Sequence, residues 1–132
     1  MIPKIIHYCW FGGKEKPEDI VGYIETWKKY LPDYTLVEWN ENNFDINSNL
    51  YVKQAYENKK WAFVSDYVRI YALYHKGGVY MDTDVEVIKN LDIFLKHDGF
   101  TGFETINGPL TGTMGAVPGE KIMGDFLDEY KE

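Results

Sequence analysis

The amino-acid sequence predicts an α/β sandwich with a largely parallel central sheet, as a single domain over residues 1–132. Three observations carry that expectation. Short apolar, β-rich runs alternate with stretches of helical period along the chain, as in strands joined by helical crossovers. The composition, 45% hydrophobic and 17% aromatic over 132 residues, suffices for one core rich in Tyr and Trp. The stretch from Trp61 to Glu86 reads as an apolar helix, a Gly-Gly stop, a buried strand and two aspartates one residue apart. No internal repeat, low-complexity tract or linker interrupts the pattern.

In chain order, Lys4 to Phe11 is a first strand, broken at Gly12-Gly13. Pro17-Glu18-Asp19 supplies first-turn signals for a helix from Glu18 to Tyr30. Its Ile20, Tyr23, Ile24 and Trp27 recur at helical spacing, so it covers a sheet. Pro32-Asp33 stops it, and Tyr34 to Trp39 alternates as a second strand. Asn40 to Asn49 is a polar loop. Tyr51 to Asn58 is a short helix leading into the central stretch. Beyond Glu86, Asp92 to Lys96 is a helical turn and Gly99 to Thr105 a strand. Ile106 to Gly112, with Asn-Gly-Pro, is expected to be a loop that walls the acceptor side. Thr113 to Val117 is a further strand and Lys121 to Lys131 a final amphipathic helix.

The candidate chemistry lies in the central stretch. Helical spacing stacks Ala62, Asp66, Arg69 and Leu73 on one face, and Arg69 is the only arginine of the chain. An i, i+3 pair with Asp66 on an exposed surface would contribute only ~0.2–0.5 kcal/mol. Among so many apolar neighbours, however, a charge pair needs further hydrogen-bonding partners. A planar, five-donor guanidinium suits diphosphate or sugar oxygens better than an ammonium does. Gly77-Gly78 ends the helix, since glycine takes positive φ at little cost. Alternation from the strand Val79-Tyr80-Met81 would place Tyr80, Asp82 and Asp84 on one side. The string Asp82-Thr83-Asp84 alone reads more readily as a solvated turn. At the exit of a buried strand, its carboxylates offer hard oxygen ligands for Mg²⁺ or Mn²⁺. Trp10, at the end of the first strand, reads as a core anchor unless a ligand meets it.

A net charge of -7 argues against nucleic acid as a partner. The single cysteine, Cys9, permits no internal disulfide and fits a reducing compartment. The N-terminal apolar run is too short for a secretory signal, and none approaches the ~20 residues of a transmembrane segment. The expectation is a cytoplasmic protein, free or peripheral at the inner membrane face. His7, His75 and His97 have no metal-ligand spacing. Nucleophile-elbow and P-loop motifs are missing from the sequence.

Three segments together carry a resemblance: IPKIIHYCWFGG at the start, SDYVRIYALYHKGGVYMDTD in the middle, and GFE at 102–104. They resemble the DXD-containing glycosyltransferases that use nucleotide-sugar donors. These include bacterial capsular-polysaccharide enzymes, yeast mannosyltransferases and, more distantly, the clostridial glucosylating toxins. The string S-D-x-x-R followed by G-G-x-Y-x-D-x-D is its most specific part. The resemblance implies a GT-A type nucleotide-binding sandwich and transfer from a UDP- or GDP-linked donor to a saccharide acceptor. It also implies retention of configuration and a setting in cell-surface polysaccharide synthesis.

Carried over residue by residue, Trp10 would stack on the donor's base and Phe11 would border it. Ser65 and Asp66 would line the sugar pocket, and Arg69 would bridge sugar and phosphate oxygens. Asp82 would contact the ribose and a metal-bound water, with Thr83 beside it on the donor side. Asp84 would ligate Mn²⁺ or Mg²⁺ directly. Arg69 and Asp84 would be the catalytic pair. Related enzymes continue further, which leaves two expectations open: a core truncated at its C-terminal side, or a compact variant of the family. Other readings stay open: a non-catalytic nucleotide-sugar binding module that needs a partner for the acceptor, a hydrolase of the same donor, or a ligand-free α/β domain.

Overall fold

The computed structural model describes residues 1–87, 90–105 and 108–130. Its elements are β1 (Ile5–Cys9), α1 (Glu18–Tyr30), β2 (Thr35–Trp39), α2 (Leu50–Glu57), α3 (Trp61–Lys76), β3 (Gly78–Met81), β4 (Gly99–Thr105), β5 (Gly108–Ala116) and α4 (Lys121–Asp128). Short 3-10 turns lie at Ile46–Ser48 and Asp92–Phe94.

The five strands form one sheet in the order β2-β1-β3-β5-β4. The pairs β1/β2 and β1/β3 are parallel, whereas β5 runs against both β3 and β4. Four strands therefore share a direction and β5 alone is reversed, so the α/β, largely parallel expectation holds. The chain leaves β1 for β2 on one side and returns to place β3 on the other. That reversal at β1 opens a crevice at the carboxyl ends of the parallel strands, where Trp10 and Asp82 emerge.

Alternation along β1 and β3 sorts side chains between two cores. Ile6, Tyr8, Val79 and Met81 pack with Ile24 and Trp27 of α1. Cys9 and Tyr80 pack on the other face with Val64, Val68 and Leu73 of α3. The Trp27 indole, fully buried, donates its N–H to the Val85 carbonyl at 2.7 Å, so this bulky anchor leaves no buried donor unmet. His7 also faces α3. Trp39 Nε1 donates to its Nδ1 at 3.1 Å, which leaves Nε2–H to donate to the Gly77 carbonyl at 2.8 Å. Burial lowers the His7 pKa and holds the ring neutral, an effect the Gly77 bond opposes and the nearby Lys76 charge assists.

The α3 helix stops at Gly77, whose φ of 68° is costly for other residues. A Cβ there would lie 2.6 Å from Pro118 Cδ, so only glycine lets the 117–119 turn close over the helix end. No described helix is long and apolar enough to cross a membrane.

Three local expectations are corrected. Gly108–Gly112, expected as a loop, belongs to β5, which pairs with β4 through register shifts; Ile106 and Asn107 lie outside the described residues. Only Thr113–Ala116 of β5 also pairs with β3, so the Pro109 end meets a ladder on one flank only. The final helix ends at Asp128, and Lys131 lies outside the described residues. The strand before the aspartates ends at Met81. Thr83 and Asp84 sit in a turn closed by Val85 N–H to the Asp82 carbonyl, so their placement follows a turn and not strand alternation.

Candidate active site

Arg69 is the centre of the site. It comes from the buried side of α3, where Val64, Val68 and Ala72 form the apolar stripe that seats the helix on the sheet. Its Nη2 donates to Asp66 Oδ1 at 3.0 Å and lies 3.6 Å from Asp82 Oδ1. Its guanidinium carbon stands 4.9 Å from the centroid of the Tyr80 ring. The Arg69 side chain is 9% exposed against 42% for Asp66 and 37% for Asp82, so the charge is rooted inside while both carboxylates reach solvent. A ring beneath and carboxylates on two sides fix the plane of the guanidinium.

Burial raises the pKa of Asp82; Arg69 and the Tyr80 hydroxyl pull it back, and Asp84 and Asp66 push it up again. Burial likewise raises Tyr80 well above the ordinary phenol and lifts the Cys9 thiol to about 12. Tyr80 therefore remains a hydrogen-bond donor and Cys9 a neutral thiol, neither poised as a nucleophile.

Arg69 borders two clefts. One, of about 290 Å³, is lined by Cys9, Ala62, Ser65, Tyr80, Asp82, Thr83 and Asp84 as well as Arg69. The structure thus brings Ser65, Arg69, Asp82, Thr83 and Asp84 together at one opening. The other, also about 290 Å³, is lined by Asp66, Arg69, Ile70, Met114, Phe126 and Tyr130. A larger cavity of about 540 Å³ lies between α3 and α4 and contains none of the predicted residues.

Trp10 and Phe11 line neither of the clefts at Arg69. Trp10 is half-buried, its Nε1 donating to the Lys14 carbonyl at 2.7 Å, with the Lys16 ammonium 5.8 Å from its ring centroid. Phe11 is buried, edge-on to Phe44 at 6.5 Å between centroids. The loop after Trp10 needs positive φ at Gly12 and Gly13, and Gly12 N–H donates to Glu41 Oε2 at 2.5 Å. This arrangement holds the Trp10 indole at the carboxyl edge of the sheet, outside the core.

The donor set for a divalent cation is small. Among the described residues no group of three or more His, Cys, Asp or Glu side chains converges as a metal cage. Asp82 and Asp84 line the same cleft, one partly buried and the other exposed. Such a pair suits a hard cation that keeps water and phosphate oxygens among its ligands. A nearby cation would also relieve the burial that raises Asp82.

The sequence reading missed two contributions. Cys9 closes the floor of the first cleft, which only the parallel pairing of β1 with β3 reveals. Phe126 and Tyr130 wall the second. The sequence signal for them was available, because they stand four apart at the end of the last amphipathic stretch.

The sheet and its flanking helices match the fold of a solved glycosyltransferase. PaToxG glycosyltransferase superposes with a TM-score of 0.74 over 96% of this chain and 58% of its own, at 20% identity. The chain belongs to the family described as the glycosyltransferase sugar-binding region containing a DXD motif, whose model matches residues 17–101. Inositol phosphoceramide mannosyltransferase 3 of Schizosaccharomyces pombe is 29% identical over 126 residues, 92% of this chain and 35% of that protein. A mannosyl phosphorylinositol ceramide synthase of Saccharomyces cerevisiae is 32% identical over 89% of this chain and 32% of its own length. An uncharacterized glycosyltransferase of Acanthamoeba polyphaga mimivirus is 30% identical, with 96% and 54% covered. The chain spans about a third of the length of these two fungal relatives.

Proposed function

We propose that this chain is the donor-binding core of a metal-dependent glycosyltransferase that moves a sugar from a nucleotide-linked donor to a hydroxyl-bearing acceptor with retention of configuration. The observation that carries the reading is the placement of Arg69. One guanidinium is fixed between Asp66 and Asp82 and borders a cleft whose lip carries Asp84.

Breaking the anomeric bond leaves negative charge on the departing diphosphate. Preorganised donors aimed at developing charge are a large source of rate in such sites. Arg69 supplies them, and its planar fork matches phosphate oxygens. Asp84, with help from Asp82, would hold Mn²⁺ or Mg²⁺, which supplies Lewis-acid stabilisation of the same charge. Asp66 accepts from sugar hydroxyls, Ser65 and Thr83 border the donor, and Trp10 stacks on its base with Phe11 behind it. No carboxylate need attack the sugar, so the pair of acids required for glycoside hydrolysis is not called for.

The names of the fungal relatives favour mannose as the sugar and a polyol ring as the acceptor over a capsular-polysaccharide setting. A second reading, a binding module that needs another protein for transfer, draws support from the small ligand set among the described residues. Sugar released with and without acceptor separates transfer, donor hydrolysis and binding alone.

The direct test is calorimetric titration of UDP-glucose and GDP-mannose with Mn²⁺. Asp84→Ala should weaken Mn²⁺-dependent binding at least about tenfold, while the exposed position leaves thermal stability near that of the parent. Unchanged Mn²⁺-dependent affinity in that variant would overturn the assignment.

A further inference from the structure

We propose that Lys16 and Glu38 read the donor's base, selecting one that carries a carbonyl oxygen next to a ring N–H, as uracil and guanine do. The choice of base rests on Trp10 being the ring beneath it, and the pair beside that ring supplies the choice.

The loop after β1 folds back on its own tryptophan. Trp10 N–H donates to the Trp39 carbonyl at 2.9 Å, and its indole Nε1–H to the Lys14 carbonyl at 2.7 Å. Positive φ at Gly12 and Gly13 turns the chain so that residues 14–16 return past the indole. Both N–H groups of Trp10 are spent in this way, and the ring is fixed before any ligand arrives. Lys16 closes the return with its ammonium 5.8 Å from the ring centroid, within reach of the edge of a base stacked there.

Glu38 comes from β2, directly across from Tyr8 of β1. Its Oε1 lies 2.6 Å from Lys16 Nζ and accepts from the Tyr8 hydroxyl at 3.2 Å, while Oε2 accepts from Asn40 Nδ2 at 2.8 Å. An ion pair open to solvent contributes little and is loosely held. Here the two side chains are only 26% and 27% exposed and Glu38 has three partners, so ammonium and carboxylate keep fixed places. Burial opposes the charge on Glu38, but Lys16, Asn40 and Tyr8 outweigh it and hold its pKa below the usual carboxylate value. An ammonium has three N–H donors and a carboxylate about four acceptor sites, so each keeps capacity for a ligand.

A fixed donor beside a fixed acceptor matches one kind of base edge. Uracil and guanine present a carbonyl oxygen next to a ring N–H. Adenine and cytosine present an amino group next to a bare ring nitrogen, which is the reverse order. With the first kind, Lys16 donates to the carbonyl and Glu38 accepts from the N–H. With the second, the ammonium meets an amino group and the carboxylate a lone pair, so both contacts repel.

Calorimetry with Mn²⁺ and UDP, GDP, ADP and CDP tests the assignment. The parent should bind UDP or GDP at least about tenfold more tightly than ADP and CDP, the scale of one good bidentate base contact. Lys16→Met should weaken the favoured nucleotide about tenfold and leave ADP and CDP within twofold, so that the preference disappears. Lys16→Arg, which keeps a charged donor, should retain it. Equal urea midpoints for parent and Lys16→Met would establish that the fold is unchanged; a lowered midpoint with the base preference intact would make the pair structural and overturn the proposal. Equal weakening of all four nucleotides by Lys16→Met would likewise overturn it, since Lys16 would then only steady Trp10. A parent that binds all four alike refutes base reading while leaving the donor reading in place, whereas a parent that binds none of them refutes both.

Discussion

The face of the sheet under α1 and the face under α3 are fed by the same two strands, yet they receive different chemistry. To α1, β1 and β3 send Ile6, Tyr8, Val79 and Met81, which close around Trp27. To the α3 side they send His7, Cys9 and Tyr80, each with a polar atom and each partnered inside. Parallel strands buried on both sides are usually apolar throughout. Here one register is apolar, while the other carries hydrogen-bonding groups toward the helix that bears Arg69. The comparison teaches that a buried sheet can be stabilised from one side while its other side orients a charge.

Three measurements would break or sharpen that contrast. On the α1 face, Trp27→Ala removes a fully buried indole and should cost about 3–5 kcal/mol in urea unfolding. Below 15 °C, where enough protein stays folded, its donor affinity should match the parent. A small stability loss, or a specific loss of binding, would erase the distinction between faces. On the α3 face, Arg69→Lys should do the reverse. Binding of the Mn²⁺–donor complex falls about tenfold because the planar fork is lost although the charge stays. Calorimetry giving parental affinity would show that any cation serves there.

The smallest effect is expected from His7. Its pKa is lowered in the native state, chiefly by burial, from 6.5. The unfolded chain therefore takes up this proton at higher pH than the native chain does. The His7 contribution is complete above about pH 6.5 and is lost as pH falls through the native value, with a slope bounded by ~1.4 kcal/mol per pH unit. Urea midpoints at pH 7.5 and 5.0 should differ more in the parent than in His7→Gln. Equal differences would show that the ring is not the titrating group.

Much of this architecture could be read from local signals. The α1 bounds followed from Pro17-Glu18-Asp19 and Pro32, because helix starts and stops are set by a few neighbouring residues. The Gly77 stop was legible for the same reason. The β5 strand was not, since Asn107-Gly108-Pro109 reads as a breaker, and pairing with β4 overrides it from Gly108 on. At the site, Asp66 beside Arg69 followed from helical spacing. The approach of Asp82 to Arg69 followed only from a motif at fixed distance, because its strand ends at Met81 and a turn aims the carboxylate. Cys9 joins its cleft through contacts with residues far away in sequence, which periodicity within one element cannot encode.

The lone thiol under the first cleft has a practical consequence. Cys9 is the chain's one cysteine, and burial keeps it protonated, with a pKa near 12. Maleimide in the medium must therefore wait for the floor of the pocket to open, and the labelling rate times that opening without an engineered probe. A ligand that seals the entrance should slow this clock in proportion to its occupancy, reporting engagement of an unmodified chain by mass alone.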